Sequence, residues 1–315
     1  MEKKPKIAIT LGDPSGVGPE IAAVAAADEE TRRICEPVIF GSPDVFGKAC
    51  ELVGADAGGI EVAETGDMSF DDLAIGEVSK DSGTEALASV REAVESVLSG
   101  SADAVVTAPV HKKAIRLAGS VHPGHTEMLR EMTGAENAVM MFEGGDLRVA
   151  LVTIHCALSE VAGLITADAV FNTVKVCSDG LSERFGIESP RIAVCGLNPH
   201  AGDGGEFGSE DIERIAPAVM RASAEGLDVS GPLPADAVFH SAMEGRWDLV
   251  VAMYHDQGLA PFKMLAFHRG VNVTLGLPIV RTSPDHGTAF DIAWRGVANP
   301  RSMKEAVKTA VRLVT

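Results

Sequence analysis

Aromatic residues, basic residues and regularly spaced cysteines are all scarce in this sequence of 315 residues. Aromatic side chains make up 4% of it, and 27 Lys and Arg face 45 Asp and Glu, which gives a formal net charge of −18. Because a nucleic-acid partner needs clustered positive charge, this balance argues against one, and it also weakens a membrane-surface role. A small anionic substrate stays possible, since it needs only a local basic pocket.

The five cysteines form no CxxC pair, and their neighbours are largely apolar. This pattern predicts reduced, buried thiols rather than a disulfide framework. The sequence also lacks any run of about eighteen apolar residues, and its start, MEKKPKIAITLGD, leads directly into a predicted strand. We therefore expect a soluble, cytoplasmic protein with no membrane partner.

Short apolar runs alternate with amphipathic stretches along the chain. Runs such as KIAIT, PVIFG and RIAVCGL are typical of strands buried on both faces of a parallel sheet. The stretch SGTEALASVREAVESVLSG has helical spacing. The repeated β-α order predicts an α/β fold, which we divide into two α/β/α lobes with a cleft between them. The first lobe comprises 1–134 plus 266–315 and the second 135–265, which opens with a predicted hairpin at NAVMMFEGGDLRVALVT.

Three predicted strands are each followed by a histidine: His155, His200 and His255. Ligands gather at the carboxyl ends of parallel strands, and three neutral imidazoles suit Zn²⁺ or a similar divalent ion. Alternatively, each histidine caps a strand end or bonds a backbone carbonyl. We favour a metal site because the arrangement occurs three times, with Asp203 and Asp256 nearby as possible hydrogen-bond partners.

Basic residues are informative in so acidic a chain. Lys263, Arg269 and Arg281 stand among apolar neighbours, and their point charge and bidentate forks suit a phosphate or carboxylate. His125 and Thr126 lie at a predicted turn before a helix, where they either meet a phosphate or cap the helix. The glycine-rich turn GDPSGVGPE matches neither GxGxxG nor GxxxxGK[ST], so it does not predict a Rossmann dinucleotide site.

Six motifs carry a family resemblance: GDPSGVGPE, TAPVHK, GHTE, LNPHAGDGG, YHDQGL and GVNVTLGLPIVRTSPDHGTAFDIA. They occur in the order typical of 4-hydroxythreonine-4-phosphate dehydrogenases of pyridoxal phosphate biosynthesis, which the chain resembles over nearly its whole length. The resemblance implies the isocitrate/isopropylmalate dehydrogenase-like fold and a homodimer with a shared active site. It implies NAD as cofactor, with NADP possible, and one divalent metal per site (Zn, Mg, Co or Mn).

The implied reaction is oxidation of 4-phosphooxy-L-threonine at C3, followed by decarboxylation to 3-amino-2-oxopropyl phosphate. A close subgroup of the family instead oxidises 4-phospho-D-threonate or 4-phospho-D-erythronate in sugar-acid catabolism. A non-catalytic homologue that binds a metal or a phosphoester is a third hypothesis.

The resemblance also implies roles for individual residues. The implied metal ligands are His155, His200 and His255. The implied substrate contacts are His125, Thr126, Lys263, Asn272 and Arg281. The implied dinucleotide contacts are His286, Gly287, Thr288, Asp291 and Asn299. Asp256 and Lys112 are the candidate catalytic residues. Trp294 departs from the wider group, which usually has Gly there, and we expect the indole to pack beneath the loop or to stack near the adenine.

Overall fold

Strands and helices alternate along the chain, so the predicted α/β fold is confirmed. The structure is a computed structural model that describes residues 3–122 and 124–315. The strands are β1 (Lys6–Thr10), β2 (Glu36–Phe40), β3 (Glu61–Ala63), β4 (Ala104–Thr107), β5 (Val139–Gly144), β6 (Leu147–Leu151), β7 (Ile192–Cys195), β8 (Val229–Leu233), β9 (Leu249–Ala252), β10 (Val271–Leu275) and β11 (Val280–Pro284).

The helices connect these strands. They are α1 (Gly18–Ala27), α2 (Glu29–Ile34), α3 (Pro43–Val53), α4 (Lys80–Leu98), α5 (Lys112–Leu117), α6 (His125–Thr133), α7 (Leu158–Leu164), α8 (Ala167–Phe185), α9 (Ala216–Ala224), α10 (Ala235–Met243), α11 (His255–Ala266) and α12 (Arg301–Val314). Short 3₁₀ segments occur at Phe70–Asp72 and Phe290–Ile292, and a π-helical turn at Asp211–Ile215 leads into α9.

The chain forms two units, Met1–Ala135 with Leu277–Thr315 and Glu136–Gly276. Residues 266–276, which the sequence assigned to the first lobe, fall in the second unit. The physical reason is that β10 pairs with β5 in an antiparallel ladder, and this pairing holds the segment to the second unit.

The first unit contains a parallel sheet in the order β3-β2-β1-β4-β11. Its central strands β1 and β4 are largely apolar because helices cover both faces; Ile7 and Ile9 of β1 are fully buried. The amphipathic α12 packs its apolar side on β11 and β4. This arrangement explains why the strand sequences show continuous apolar runs instead of alternation.

The second unit contains a mixed sheet in the order β10-β5-β6-β9-β7-β8. β5 and β6 form the predicted antiparallel hairpin, which is confirmed. β9 pairs in parallel with both β6 and β7, and β7 pairs in parallel with β8. The carboxyl ends of β6, β9 and β7 therefore lie side by side at one edge.

Four of the five cysteines are buried, and all five are free, in agreement with the predicted thiols. Within the described ranges, no single helix is long and apolar enough to cross a membrane. Helices α7 and α8 are long and apolar enough only when they are taken as one segment, and that segment is bent by 87° at the break between them.

Candidate active site

Three histidines of the second unit follow neighbouring parallel strands. His155 comes shortly after β6, His255 after β9 and His200 after β7, and β9 lies between the other two strands. The sheet thus brings all three histidine-bearing connections to one edge, as the sequence pattern indicates.

His155 and His255 lie close together in this edge. Their ring centroids are 5.9 Å apart, and both line a pocket of about 530 Å³ that also contacts Cys156 and Tyr254. The Nδ1 of His255 lies 2.7 Å from Oδ1 of Asp256. A carboxylate partner at Nδ1 favours the tautomer with the proton there, which leaves the Nε2 lone pair available to a metal ion.

His200 lies in a left-handed turn. His200, Ala201 and Asp203 have φ values of 54°, 53° and 42°. The neighbouring Gly202 and Gly204 also have positive φ values. Residues other than glycine rarely adopt this backbone conformation, because their Cβ then lies too close to the following carbonyl oxygen. The turn therefore needs contacts elsewhere that maintain it.

Asp211, a residue that the sequence reading did not single out, supplies those contacts. Its side chain is fully buried, and its carboxylate accepts the backbone N–H groups of Leu197 at 2.8 Å and Asn198 at 3.1 Å. The Asn198 amide also donates to it at 2.9 Å. A Cβ on Gly196 would lie 2.6 Å from Oδ1 of Asp211, so glycine is required for this close approach. The loop bearing His200 is thus fixed by one buried carboxylate.

Gln257 joins two of the strand ends. Its Oε1 accepts the backbone N–H of Met253 at 2.6 Å, and its Nε2 donates to the carbonyl of Gly196 at 2.7 Å. The connection after β9 is therefore tied to the connection after β7. The only sequence signal was its place in YHDQGL.

The donor chemistry of this edge fits a divalent metal ion, because neutral imidazoles with a carboxylate partner are common metal ligands. Across 3–122 and 124–315, however, no group of three His, Cys, Asp or Glu side chains could hold an ion. The His200 ring instead lies 6.3 Å from that of Phe207. One chain presents the His155–His255 pair, and the site made of all three histidines stays a prediction.

The first unit contains a buried cation beside a histidine. Arg281 of β11 is 2% exposed, and its Nη2 and Nε both donate to Oγ1 of Thr107, at 2.7 and 3.2 Å. Burial lowers the pKa of Arg281 to about 9. Burial and then the charge of Arg281 hold the pKa of His125 well below its usual value, so His125 is neutral at pH 7.

His125 has unused hydrogen-bonding capacity. Its Nε2 is buried and has no hydrogen-bond partner, although part of the residue reaches the surface. His125 begins α6, and the buried Thr126 follows it. A helix N-terminus, a hydroxyl and a guanidinium are typical components of an anion site. The first unit therefore offers His125, Thr126 and Arg281 together for an anion.

The remaining two predicted substrate residues belong to the second unit. Lys263 is half-buried in the last turn of α11, and Asn272 lies on β10 with its Oδ1 buried and without a hydrogen-bond partner. A buried amide oxygen without a donor is costly unless a ligand or water supplies one. Asn272 thus has the character expected of a ligand contact.

The predicted dinucleotide loop, 283–300, has an exposed side and a buried side. His286, Gly287, Asp291 and Asn299 are exposed, and a Cβ on Gly287 would meet open space. Thr288 is buried, and its carbonyl accepts the backbone N–H of Val17 at 3.0 Å. The four exposed residues can reach a ligand, whereas Thr288 anchors the loop to the glycine-rich turn GDPSGVGPE, which contains Val17.

Trp294 packs against its own unit. Its indole Nε1 donates to the carbonyl of Pro14 at 2.8 Å, and its ring meets that of Phe70 edge-on at 4.8 Å. Its backbone N–H donates to the buried carboxylate of Glu20. Of the two expected placements, packing is confirmed.

The candidate catalytic residues differ in setting. Lys112 is exposed at the start of α5, whereas Asp256 is 87% exposed and bonded to His255. Sequence reasoning missed a third group, Asp13, which is fully buried and accepts the Ser15 N–H at 3.0 Å. Burial raises the pKa of Asp13 to about 6, although backbone N–H groups of Ser15 and His111 oppose the rise. Its Oδ2 has no hydrogen-bond partner.

Comparisons with known proteins identify one family. A family model described as pyridoxal phosphate biosynthetic protein PdxA matches residues 33–310. The 4-hydroxythreonine-4-phosphate dehydrogenase of Geobacter metallireducens is 45% identical in an alignment that covers 98% of this chain and 96% of that protein. A protein of Oceanobacillus iheyensis named "Putative D-threonate 4-phosphate dehydrogenase" is 42% identical, with 99% of each chain covered. The crystal structure of the Klebsiella pneumoniae 4-hydroxythreonine-4-phosphate dehydrogenase superposes with a TM-score of 0.89 at 37% identity, over 99% of this chain and 100% of that one.

Proposed function

This chain belongs to the PdxA family of 4-hydroxythreonine-4-phosphate dehydrogenase-like oxidative decarboxylases, and on that premise we propose its substrate and cofactors. The substrate is 4-phosphooxy-L-threonine, which is oxidised at C3 with NAD and then loses CO₂ to give 3-amino-2-oxopropyl phosphate. The observation that carries a phosphorylated substrate is the buried Arg281 beside His125, whose Nε2 lacks a partner.

The phosphate is the group that these residues suit best. Arg281 stays charged at pH 7 even with its lowered pKa, and a guanidinium offers charge-assisted bonds to phosphate oxygens. The neutral His125 can donate a further hydrogen bond, and Thr126 adds a hydroxyl. We propose Lys263 and Asn272 of the second unit as further substrate contacts. Burial makes each such bond stronger than it would be in water.

His155, His200 and His255 would hold a divalent metal ion as part of this proposal. When bound, the ion supplies Lewis-acid polarisation of the C3 hydroxyl. Asp256 holds the His255 imidazole in the tautomer that a metal ligand needs. We include a homodimer with a shared active site, in which a second subunit can complete a ligand set that one chain leaves short.

Two residues are candidates for moving the C3 hydroxyl proton. Lys112 has an exposed ammonium, and Asp256 has an exposed carboxylate that is hydrogen-bonded to Nδ1 of His255. We assign NAD binding to His286, Gly287, Asp291 and Asn299, with Thr288 anchoring their loop. When bound, the nicotinamide ring would supply the acceptor for the hydride from C3. Oxidation places the substrate carboxylate β to a carbonyl, so the C3 oxygen can take up the electron pair that remains as CO₂ leaves.

A second candidate function is the 3-dehydrogenation of 4-phospho-D-threonate or 4-phospho-D-erythronate. The 42% identity to the Oceanobacillus iheyensis protein, against 45% to the Geobacter metallireducens enzyme, supports keeping it. These substrates carry a hydroxyl where 4-phosphooxy-L-threonine carries an amine, and the phosphate contacts are common to all three.

A substrate panel tests the proposal. The purified chain is supplied with NAD or NADP, one of Zn²⁺, Mg²⁺, Co²⁺ or Mn²⁺, and each of the three phosphates, and reduced cofactor is followed by its near-ultraviolet absorbance. We expect the highest kcat/KM with 4-phosphooxy-L-threonine, with release of CO₂. A higher kcat/KM with either sugar-acid phosphate would replace the first candidate by the second. Binding without turnover in every combination would favour the non-catalytic homologue.

A further inference from the structure

The carboxylate of Glu20 is buried inside the first unit and is used by the protein itself. Glu20 is the third residue of α1 and is 1% exposed. Its two oxygens accept different backbone N–H groups, Oε1 that of Trp294 and Oε2 that of Gly296 at 2.8 Å. One side chain therefore satisfies two donors in the loop that carries the dinucleotide contacts.

The backbone at these donors is left-handed. Trp294 has φ 57° and Gly296 has φ 68°, and the N–H groups of both converge on the carboxylate of Glu20. Successive backbone N–H groups in such a conformation form an anion-binding concavity. Here the anion is Glu20, so the loop is shaped around a carboxylate of its own chain.

Trp294 supplies the second restraint. A left-handed conformation costs glycine little but is unfavourable for tryptophan. Contacts of the indole must therefore offset the free-energy cost of this backbone conformation. The gain comes from the Nε1 bond to Pro14 and from the edge contact with Phe70. The Thr288 carbonyl adds a third connection through Val17, in the same loop.

The same contacts occupy the first glycine-rich turn. A Cβ on Gly16 would lie 2.8 Å from the Thr288 carbonyl oxygen, and one on Gly18 would lie 2.2 Å from that of Leu11. These glycines allow close packing of protein backbone. The N-terminal end of α1 is thus covered by the 283–300 loop, and the exposed residues of that loop are the ones open to a ligand.

We propose that Glu20 and Trp294 are positioning residues that hold 289–296 in its dinucleotide-binding conformation before the dinucleotide arrives. This inference rests on the proposed function, because it takes 283–300 as the dinucleotide loop. Neither residue needs to touch the cofactor. Because they keep the loop ordered in the free protein, dinucleotide binding does not bear the entropic cost of ordering it.

Direct binding measurements test the pair without relying on turnover. Trp294→Gly removes the indole while easing the backbone, Trp294→Phe removes only the Nε1 donor and keeps the ring, and Glu20→Gln leaves one of the two acceptors. Calorimetry with NAD, and separately with substrate and metal, gives the two dissociation constants. Hydrogen exchange reports amide protection in 289–296 without ligand. Trp247→Phe, at the other tryptophan and in the second unit, is the matched control.

We expect Trp294→Gly to raise the Kd for NAD about tenfold, with smaller rises for Trp294→Phe and Glu20→Gln. The Kd for substrate and metal should be unchanged, and amide exchange in 289–296 should accelerate in the free protein. Wild-type affinity for NAD in a folded variant whose loop exchanges faster would overturn the inference alone. Failure of the unmodified chain to bind NAD or NADP would overturn the proposed function and the inference together.

Discussion

Backbone strain at single residues is concentrated in the two loops on which the proposed function depends. In the described part of the chain, the non-glycine residues with positive φ are His200, Ala201, Asp203, Ala289 and Trp294. Such conformations cost free energy and persist where surrounding contacts determine them. A buried carboxylate supplies those contacts in each loop, Asp211 in the first and Glu20 in the second. The same solution is used twice.

Asp13 should make the stability of the fold depend on pH. Its pKa is raised from 3.8 to about 6, chiefly by burial. Between these values the unfolded chain has lost the proton and the folded chain keeps it, so the folded state binds more protons and stability falls as pH rises. A rise of roughly two pKa units corresponds to a loss of about 3 kcal/mol of stability, which is complete above pH 6.

Asp13→Asn should remove this pH dependence, because an amide does not ionise. We expect the free energy of unfolding of the variant, relative to wild type, to increase by up to about 3 kcal/mol between pH 4 and pH 7.5 in urea denaturation. Any fixed cost of burying the amide is the same at both pH values and cancels. A difference between the two proteins that does not change with pH would contradict the raised pKa.

Arg281→Ala should discriminate between phosphorylated and dephosphorylated substrate. The variant loses a buried charge-assisted bond, which contributes roughly 1.5–3 kcal/mol, so kcat/KM for the phosphorylated compound should fall about tenfold to a hundredfold more than for its analogue without phosphate. Steady-state kinetics on both compounds measure it. The exposed Arg116 of α5 gives the control, Arg116→Ala, which should change neither. Equal losses on both compounds would assign Arg281 a structural role.

At the scale of elements, the left-handed turn after β7 is a unit that Asp211 maintains. Asp211→Ala removes the acceptor for the Leu197 and Asn198 N–H groups, so the turn should relax and move His200. We expect divalent-metal affinity to weaken about 10- to 100-fold, as for other residues that orient ligands, while the Kd for NAD stays unchanged. Competition with a chelator, followed on metal-free protein, measures it.

Glu206→Gln is the matched control for Asp211, because Glu206 is exposed in the same loop. It should leave metal affinity at the wild-type value. Loss of metal affinity in both variants would trace the effect to charge, and its absence in Asp211→Ala would separate the turn from metal binding.

The elements themselves were predictable from the sequence, but their restraints were not. Apolar runs predicted β1, β2 and the β5-β6 hairpin because burial on the sheet dictates composition locally. The Glu20–Trp294 bond joins positions 274 residues apart, and the Gln257–Gly196 bond joins positions 61 apart. The periodicity of apolar residues reports only on local structure, so it cannot predict a contact between positions so far apart in the sequence. The weakly apolar β8, VSGPL, carries too little burial to be recognised.

At the scale of the whole molecule, the first unit is built from two separate segments of sequence. Leu277–Thr315 returns to it and contributes β11 and α12. Met303, Ala306 and Val307 of α12 are fully buried, and Thr282 of β11 donates to the carbonyl of Ala306 at 2.8 Å. The core of the unit is therefore completed only by a segment that follows the whole second unit in sequence.

Met303→Ala tests how much the unit depends on that return. Truncation leaves a cavity at a fully buried site, so the free energy of unfolding should fall by about 2–5 kcal/mol. Thermal or urea denaturation gives the value. The same substitution at Met220, which is 72% exposed on α9, should cost less than about 0.5 kcal/mol. Equal effects at both positions would show that α12 is not part of the core.

The discontinuous first unit also sets the order in which the chain can fold while a ribosome makes it. Domains usually fold from the N-terminus as they emerge. In this chain, 136–276 is continuous and can fold first. One edge of the parallel strand β4 stays unpaired until β11 has been synthesised. Until then, that open edge is a template for pairing with other nascent chains. Chaperone demand should therefore fall on the half of the protein that is synthesised earliest.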